Sequence, residues 1–272
     1  MVLAVALVGL VCLVVITSLS ALIFAGPMEA FLPIGLAAGM IGTIVVNLAI
    51  AVRPRTGAIV ALPASAGSVI LAIVMAEMSV TLSDAPDEVM AATAALALAA
   101  AALVTGLLFL VAGLFRLGEL ARYVPYPVFA GFLGGVGLLL VIGALDLAAQ
   151  PAGGSVTDVR AAVYWVPALA MGAFLFAANR FWSVGAVLPL AVLGALTAFH
   201  IGLVVLGIDI EAASRAGLLL VTPDTSSAPA VFPLFGLARH ADVSVVVGHW
   251  PSMAVLALLA LVSGILGASG SN

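Results

Sequence analysis

Charge is what this sequence has least of. Only 7% of its 272 residues are Asp, Glu, Lys or Arg, where a soluble domain carries about 25%. So few charges cannot clothe a water-facing surface, which excludes a separate soluble catalytic or nucleic-acid-binding domain within these residues. Lysine is missing altogether, and all eight cations are arginines. With a net charge of −4 and a pI near 5.1 the chain offers no basic surface to nucleic acid. Cysteine occurs once, as Cys12, so neither an internal disulfide nor a thiolate metal site is available. Residues 1–24 hold no basic side chain. They therefore lack the n-region of a signal peptide, and they are long enough to be a first transmembrane helix. No nucleophile elbow, phosphate loop, zinc motif or pair of carboxylates lies within an apolar stretch. No enzyme, cofactor or metal is expected.

Apolar sequence is what there is instead. Hydrophobic residues make up 65% of the chain and the mean hydropathy is +1.38. A spanning helix needs about 20 apolar residues, and eight stretches meet or approach that length: 2–24, 31–52, 58–78, 89–115, 126–146, 161–179, 183–206 and 250–268. The bilayer is the solvent for most of this chain, and the fold class expected is all-α integral membrane. Arginine then sets the orientation. Arg53, Arg55, Arg116, Arg122 and Arg180 fall in three short connections that alternate with Arg-poor ones at 26–30, 79–88 and 147–160. The pattern predicts a cytoplasmic N-terminus. Arg160, Arg215 and Arg239 fall on the outer side, two of them in the long 207–249 segment. That segment, broken by Pro223, Pro229 and Pro233, is expected to be an extracellular connection. One or two short strands are expected in it, at 217–221 and 243–247. Tyr123, Tyr126, Tyr164, Trp165, Trp182 and Trp250 sit at or near predicted helix ends, where amphipathic rings favour the interface.

The third stretch is not a plain span. Residues 58–62 can run extended, Pro63 fixes φ and lacks a donor, and Ala64, Ser65, Ala66, Gly67 and Ser68 are small. One reading is a half-strand over 57–62 followed by a half-helix that starts between Pro63 and Ser68 at mid-membrane depth. The other is an ordinary span kinked at Pro63, which membrane helices tolerate. A half-helix would present the unpaired N–H groups of Ser65, Ala66, Gly67 and Ser68. With the helix dipole behind them, these form an anion site that needs no basic side chain. Discontinuous helices of this kind mark midplane substrate sites in transporters.

Other residues carry weaker signals. Gly131, Gly134, Gly135 and Gly137 line one face of the fifth stretch, with Gly131 and Gly135 at the small-xxx-small spacing that lets helices approach closely. Thr17, Ser18 and Ser20 interrupt the first stretch, and Asn47 the second. Each either hydrogen-bonds a substrate or satisfies a neighbouring backbone group. Glu77 lies nearest to membrane depth among the acids and is expected to reach the outer interface. His200, His240 and His249 show no metal-ligand spacing.

The run Arg122-Tyr-Val-Pro-Tyr-Pro-Val-Phe-Ala-Gly-Phe-Leu-Gly-Gly-Val-Gly-Leu-Leu-Leu140 closely resembles the fifth-helix motif of the SulP inorganic-anion permeases, the sulfate permease family. The opening Leu22-Ile-Phe-Ala-Gly-Pro-Met-Glu-Ala-Phe-Leu-Pro-Ile-Gly35 is similar to a bacterial branch of it. Residues 57–68 fall where that family places its broken third helix. The resemblance implies two inverted repeats of seven segments, with the anion between the N-termini of the third and tenth. It also implies a core domain moving against a gate domain, and a STAS domain downstream. On that plan residues 1–115 are half of the core, 116–206 gate helices five to seven, and 250–272 the start of a second repeat. The chain is then an N-terminal portion of such a transporter, not expected to transport by itself. The substrate expected is an inorganic anion of the sulfate or bicarbonate class, moved by alternating access across the inner membrane. Binding is assigned to Pro63, Ala64, Ser65, Ala66, Gly67 and Ser68, with Ser18 and Ser20. A coupling H+ or Na+ and, at full length, a second copy of the chain are the other partners. One alternative is a non-transporting, truncated membrane module. Another is a nucleobase or xanthine permease, which shares the architecture but should carry acidic residues in its eighth segment. The eighth here has none before its end, where Asn272 stands in place of the family's acidic residue.

Overall fold

The protein is described from a computed structural model that covers residues 2–52, 60–117, 119, 123, 125–149, 162–181, 187–215 and 240–269. Its elements are α1 (Val2–Ile23), a 3-10 turn (Gly26–Phe31), α2 (Leu32–Ala51), α3 (Ser65–Thr81), α4 (Asp87–Leu114) and α5 (Tyr126–Ala149). After these come α6 (Ala162–Phe181), α7 (Val187–Leu206), the short α8 (Ile210–Arg215) and α9 (Val243–Gly248), and α10 (Trp250–Ser269). No strand occurs among the described residues.

Each of the eight apolar stretches holds one of the long helices, and only the third starts well inside its predicted bounds. Four segments, Ala6–Ile23, Gly26–Ala51, Asp87–Leu114 and Ala130–Ala149, are long and apolar enough to cross a bilayer. Their outer faces fit that solvent, since large side chains such as Leu107, Leu110, Leu114 and Leu138 stand exposed. In water such a surface would be an aggregation site. This is a multi-pass membrane protein.

Local chemistry sets the helix ends. Asp87 and Glu88 occupy the first turn of α4, next to its positive dipole end. α7 stops at Gly207, whose φ of +65° suits glycine. The Ile208 N–H donates to the Leu203 carbonyl at 3.0 Å and the Gly207 N–H to the Val204 carbonyl at 3.2 Å. That pair is a Schellman closure.

The chain divides into two compact units, cut after Thr17 in α1 and after Gly143 in α5. One unit comprises residues 1–17 and 144–224, in which α6 and α7 pack on each other. The other comprises 18–143 and 225–272, and here α10 packs along both α3 and α4. α10 buries Met253, Leu256, Ala257, Ala260 and Leu261, an i, i+3, i+4, i+7, i+8 stripe. α4 contributes Ala91, Ala92, Ala94, Ala95, Ala97 and Ala101. Small side chains suit contacts between helices in lipid, where bulk gains nothing from leaving water. The 3-10 turn buries Met28 and Phe31 and packs on α2 and α3. Phe24 and Met28, each 1% exposed, are among the most deeply buried side chains.

The strand expected at 243–247 is instead α9. The β-branched run Val243-Ser-Val-Val-Val247 favours a strand by propensity, but Asp242 caps it as a helix. The Asp242 carboxylate accepts from the Ser244 N–H at 2.9 Å and from the Ser244 hydroxyl at 2.6 Å. The Asp242 N–H in turn donates at 3.0 Å to the Thr93 hydroxyl of α4, a fully buried group that itself donates to the Val89 carbonyl. Capping and docking override propensity. The other strand expected, at 217–221, lies outside the described residues.

The bonds from the Ser244 hydroxyl, and then from the Ser244 N–H, hold the Asp242 carboxyl below its ordinary value of 3.8. A depressed folded-state value stabilises α9 above the unfolded-state value, and that contribution is lost as the pH falls through the folded one. Amide exchange in 243–248 is therefore expected to stay constant from neutral pH down to about 5 and to quicken below about 4, after correction for intrinsic rates. Asp242→Asn, which cannot titrate, is expected to flatten that dependence.

Candidate functional site

α3 begins at Ser65. Residues 60–64 precede it without helical structure, and Ala64 is extended at φ −74° and ψ 111°. The chain is thus broken here and not merely kinked. Of the half-strand expected over 57–62, positions 57–59 lie outside the described residues and 60–62 form no strand.

The depth of the break can be read against α10. A Cβ at Gly67 would lie 3.8 Å from Leu256 and Ala260, and the far end of α3 brings Glu77 within 3.5 Å of His249. The two helices therefore run antiparallel. α10 has 20 residues, about 30 Å or one hydrocarbon thickness. Leu256 and Ala260 are in its middle third, so the α3 N-terminus stands level with the middle of α10.

The residues assigned to binding are not equivalent. Ser68 has no donor to spare: its N–H and its hydroxyl both point to the Ala64 carbonyl, each at 3.1 Å. The first intrahelical bond uses that N–H, which leaves Ser65, Ala66 and Gly67 as donors without helical partners. No side chain caps them. Pro63 and Ser65 are half-buried, Ala64 is exposed, and Ala66, Gly67 and Ser68 are buried. In α1, Ser20 is buried and Ser18 exposed. Two residues apart they point about 200° from each other, so they do not share a face. The Thr17 hydroxyl turns back to the Leu13 carbonyl at 2.8 Å.

Asn47 takes the second of its two expected roles. Its side-chain amide pairs with the backbone of Ala61, just before the break. The Ala61 N–H donates to Oδ1 at 2.9 Å, and Nδ2 donates to the Ala61 carbonyl at 3.0 Å. Glu77 meets the imidazole Nε2 of His249, whose Nδ1 lies 2.8 Å from the Val245 carbonyl. No cluster of His, Cys, Asp and Glu able to hold a metal occurs among the described residues.

The glycine stripe of α5 finds no neighbour here. A Cβ at Gly131, Gly134, Gly135 or Gly137 would meet nothing within 4 Å among the described residues. The close approach on this helix falls one turn and more further on, at Gly143, where a Cβ would lie 2.8 Å from Leu22.

The model of the sulfate permease family matches residues 3–271. The chain belongs to that family. Comparison with curated proteins and with solved structures gave no match. Sulfate permeases are transporters and not enzymes.

Proposed function

We propose that the permease is a secondary transporter of inorganic anions of the sulfate or bicarbonate class, working by alternating access. The anion binds at the N-terminus of α3, held by the N–H groups of Ser65, Ala66 and Gly67 and by the hydroxyl of Ser65. The observation that carries this reading is the start of α3 level with the middle of α10. A helix that begins inside the bilayer exposes donors and a dipole where no cation competes. Residues 1–115 and 250–272 belong to the core that moves, and 116–206 to the gate, in an inner-membrane protein with a cytoplasmic N-terminus. At full length the second half of the site comes from a second repeat, and the transporter is a homodimer coupled to H+ or Na+. α10 contains no acidic residue, which speaks against a nucleobase substrate. Full-length protein in liposomes is expected to take up labelled sulfate or bicarbonate, but not uracil. Uracil uptake with neither anion moving would overturn this reading.

A further inference from the structure

We infer that Asn47 is a positioning residue for transport: it clamps the non-helical lead of α3 and so sets where the three free N–H groups point. The inference rests on the proposed placement of the anion at that helix end.

Residues 60–64 carry backbone groups through an apolar region without a helix to pair them. In a bilayer each such group must find a partner inside the protein. Asn47 supplies both partners for Ala61 at once, one carbonyl oxygen and one N–H. The geometry reproduces one rung of an antiparallel ladder with a side-chain amide in place of the second strand. Its orientation is over-determined, because Nδ2 also donates to the Thr43 carbonyl at 2.8 Å. Flipping the amide would set Oδ1 against two carbonyls and Nδ2 against an N–H.

Position gives the clamp its leverage. Ala61 is four residues before Ser65, and Pro63 between them removes one freedom of φ. α2, which carries Asn47, is itself fixed against α4 and the 3-10 turn. A lead pinned at Ala61 leaves Ser65, Ala66 and Gly67 little freedom to swing. An unpinned lead would let the donors fan out before the anion arrives, and a misaimed set of donors costs affinity more than turnover.

The test uses the full-length transporter in liposomes, with labelled sulfate and bicarbonate as probes and Asn47→Ala, Asn47→Leu and Asn47→Gln as variants. Asn47→Leu keeps the branched heavy-atom skeleton and loses the amide, whereas Asn47→Gln keeps the amide on a longer stem. Asn47→Ala and Asn47→Leu are expected to raise amide exchange over 60–67 about tenfold, the scale of losing a pair of net hydrogen bonds. Exchange over 90–101 in α4 should not move. KM for the transported anion should rise about fivefold or more, with the maximal rate held within about twofold, and Asn47→Gln should recover part of both. If Asn47→Ala fails to insert, Asn47→Gln alone carries the comparison, with smaller rises in exchange and KM together. Unchanged exchange, raised exchange with a wild-type KM, or wild-type behaviour of Asn47→Leu each overturn the inference. Ser65→Asp, run alongside, reads the anion placement itself. Its failure to transport beside a normal KM in Asn47→Ala overturns the role of Asn47 alone, whereas wild-type uptake by it overturns the placement and the inference together.

Discussion

Ser65→Asp is expected to abolish anion uptake in the full-length transporter. Ser65 is the first residue of α3, where an acidic side chain interacts favourably with the dipole by about 0.3–1 kcal/mol. That gain offsets only part of the cost of a charge at mid-membrane depth, about 2.5–3.5 kcal/mol. The substrate suffers more, because the carboxylate takes the place proposed for it. Two like charges about 4 Å apart repel by about 4 kcal/mol at an effective dielectric of about 20, on the order of a thousandfold in binding. Ser65→Ala loses only a hydroxyl, about 0.5–1.5 kcal/mol, and should transport with a few-fold weaker affinity. Gly67→Pro should be nearly as harmful as the aspartate. There is room for its Cβ, 3.8 Å from Leu256 and Ala260, so the damage comes from the missing N–H and from the constraint on Ala66. Uptake at matched expression and a thermal inactivation curve for each variant decide the matter. Wild-type uptake by Ser65→Asp would place the site elsewhere.

Gly35→Val is expected to be the most destabilising of the glycine substitutions in α2 and α5. A Cβ at Gly35 would run into the ring of Phe24, which at 1% exposure has nowhere to turn. Overpacking of this kind costs about 1–3 kcal/mol or more. The control is Gly131→Val, where the added atoms meet nothing among the described residues and helix propensity improves slightly. Inactivation temperatures in detergent should fall for the first and hold or rise for the second. A fall as large at Gly131 would mean that another surface covers the α5 stripe in the intact transporter.

The helices were legible in the sequence because lipid demands long apolar runs, and the boundaries of α1, α2 and α10 follow that pattern closely. The start of α3 was legible for a different reason: Pro63 and the small residues after it leave few other places to begin a helix. What could not be read was the use made of single polar atoms. Ser68 looked like one donor among four, and only its bonds to the Ala64 carbonyl withdraw it. Asn47 stood out as a lone amide in an apolar helix, but its partner is 14 residues away. The helix at 243–248 was missed because a valine-rich run favours a strand locally, and the Thr93 hydroxyl that anchors its cap is 149 residues distant. Gly143 was passed over for the more regular glycines before it, since spacing alone does not say which face meets a neighbour.

The level of the α3 N-terminus bears on how the transporter would feel membrane voltage. On the proposed placement, an anion bound beside the centre of α10 would have crossed about half of the transmembrane field from either side. A full crossing is worth about 2.3 kcal/mol per elementary charge per 100 mV. Reaching the site would therefore involve about 2.3 kcal/mol per 100 mV for divalent sulfate and about half that for bicarbonate. In an energised cell, negative inside, that term opposes the anion's approach from outside and favours its departure outward. A carrier that accumulates sulfate must then bring compensating positive charge with it, whereas a bicarbonate carrier needs only half as much.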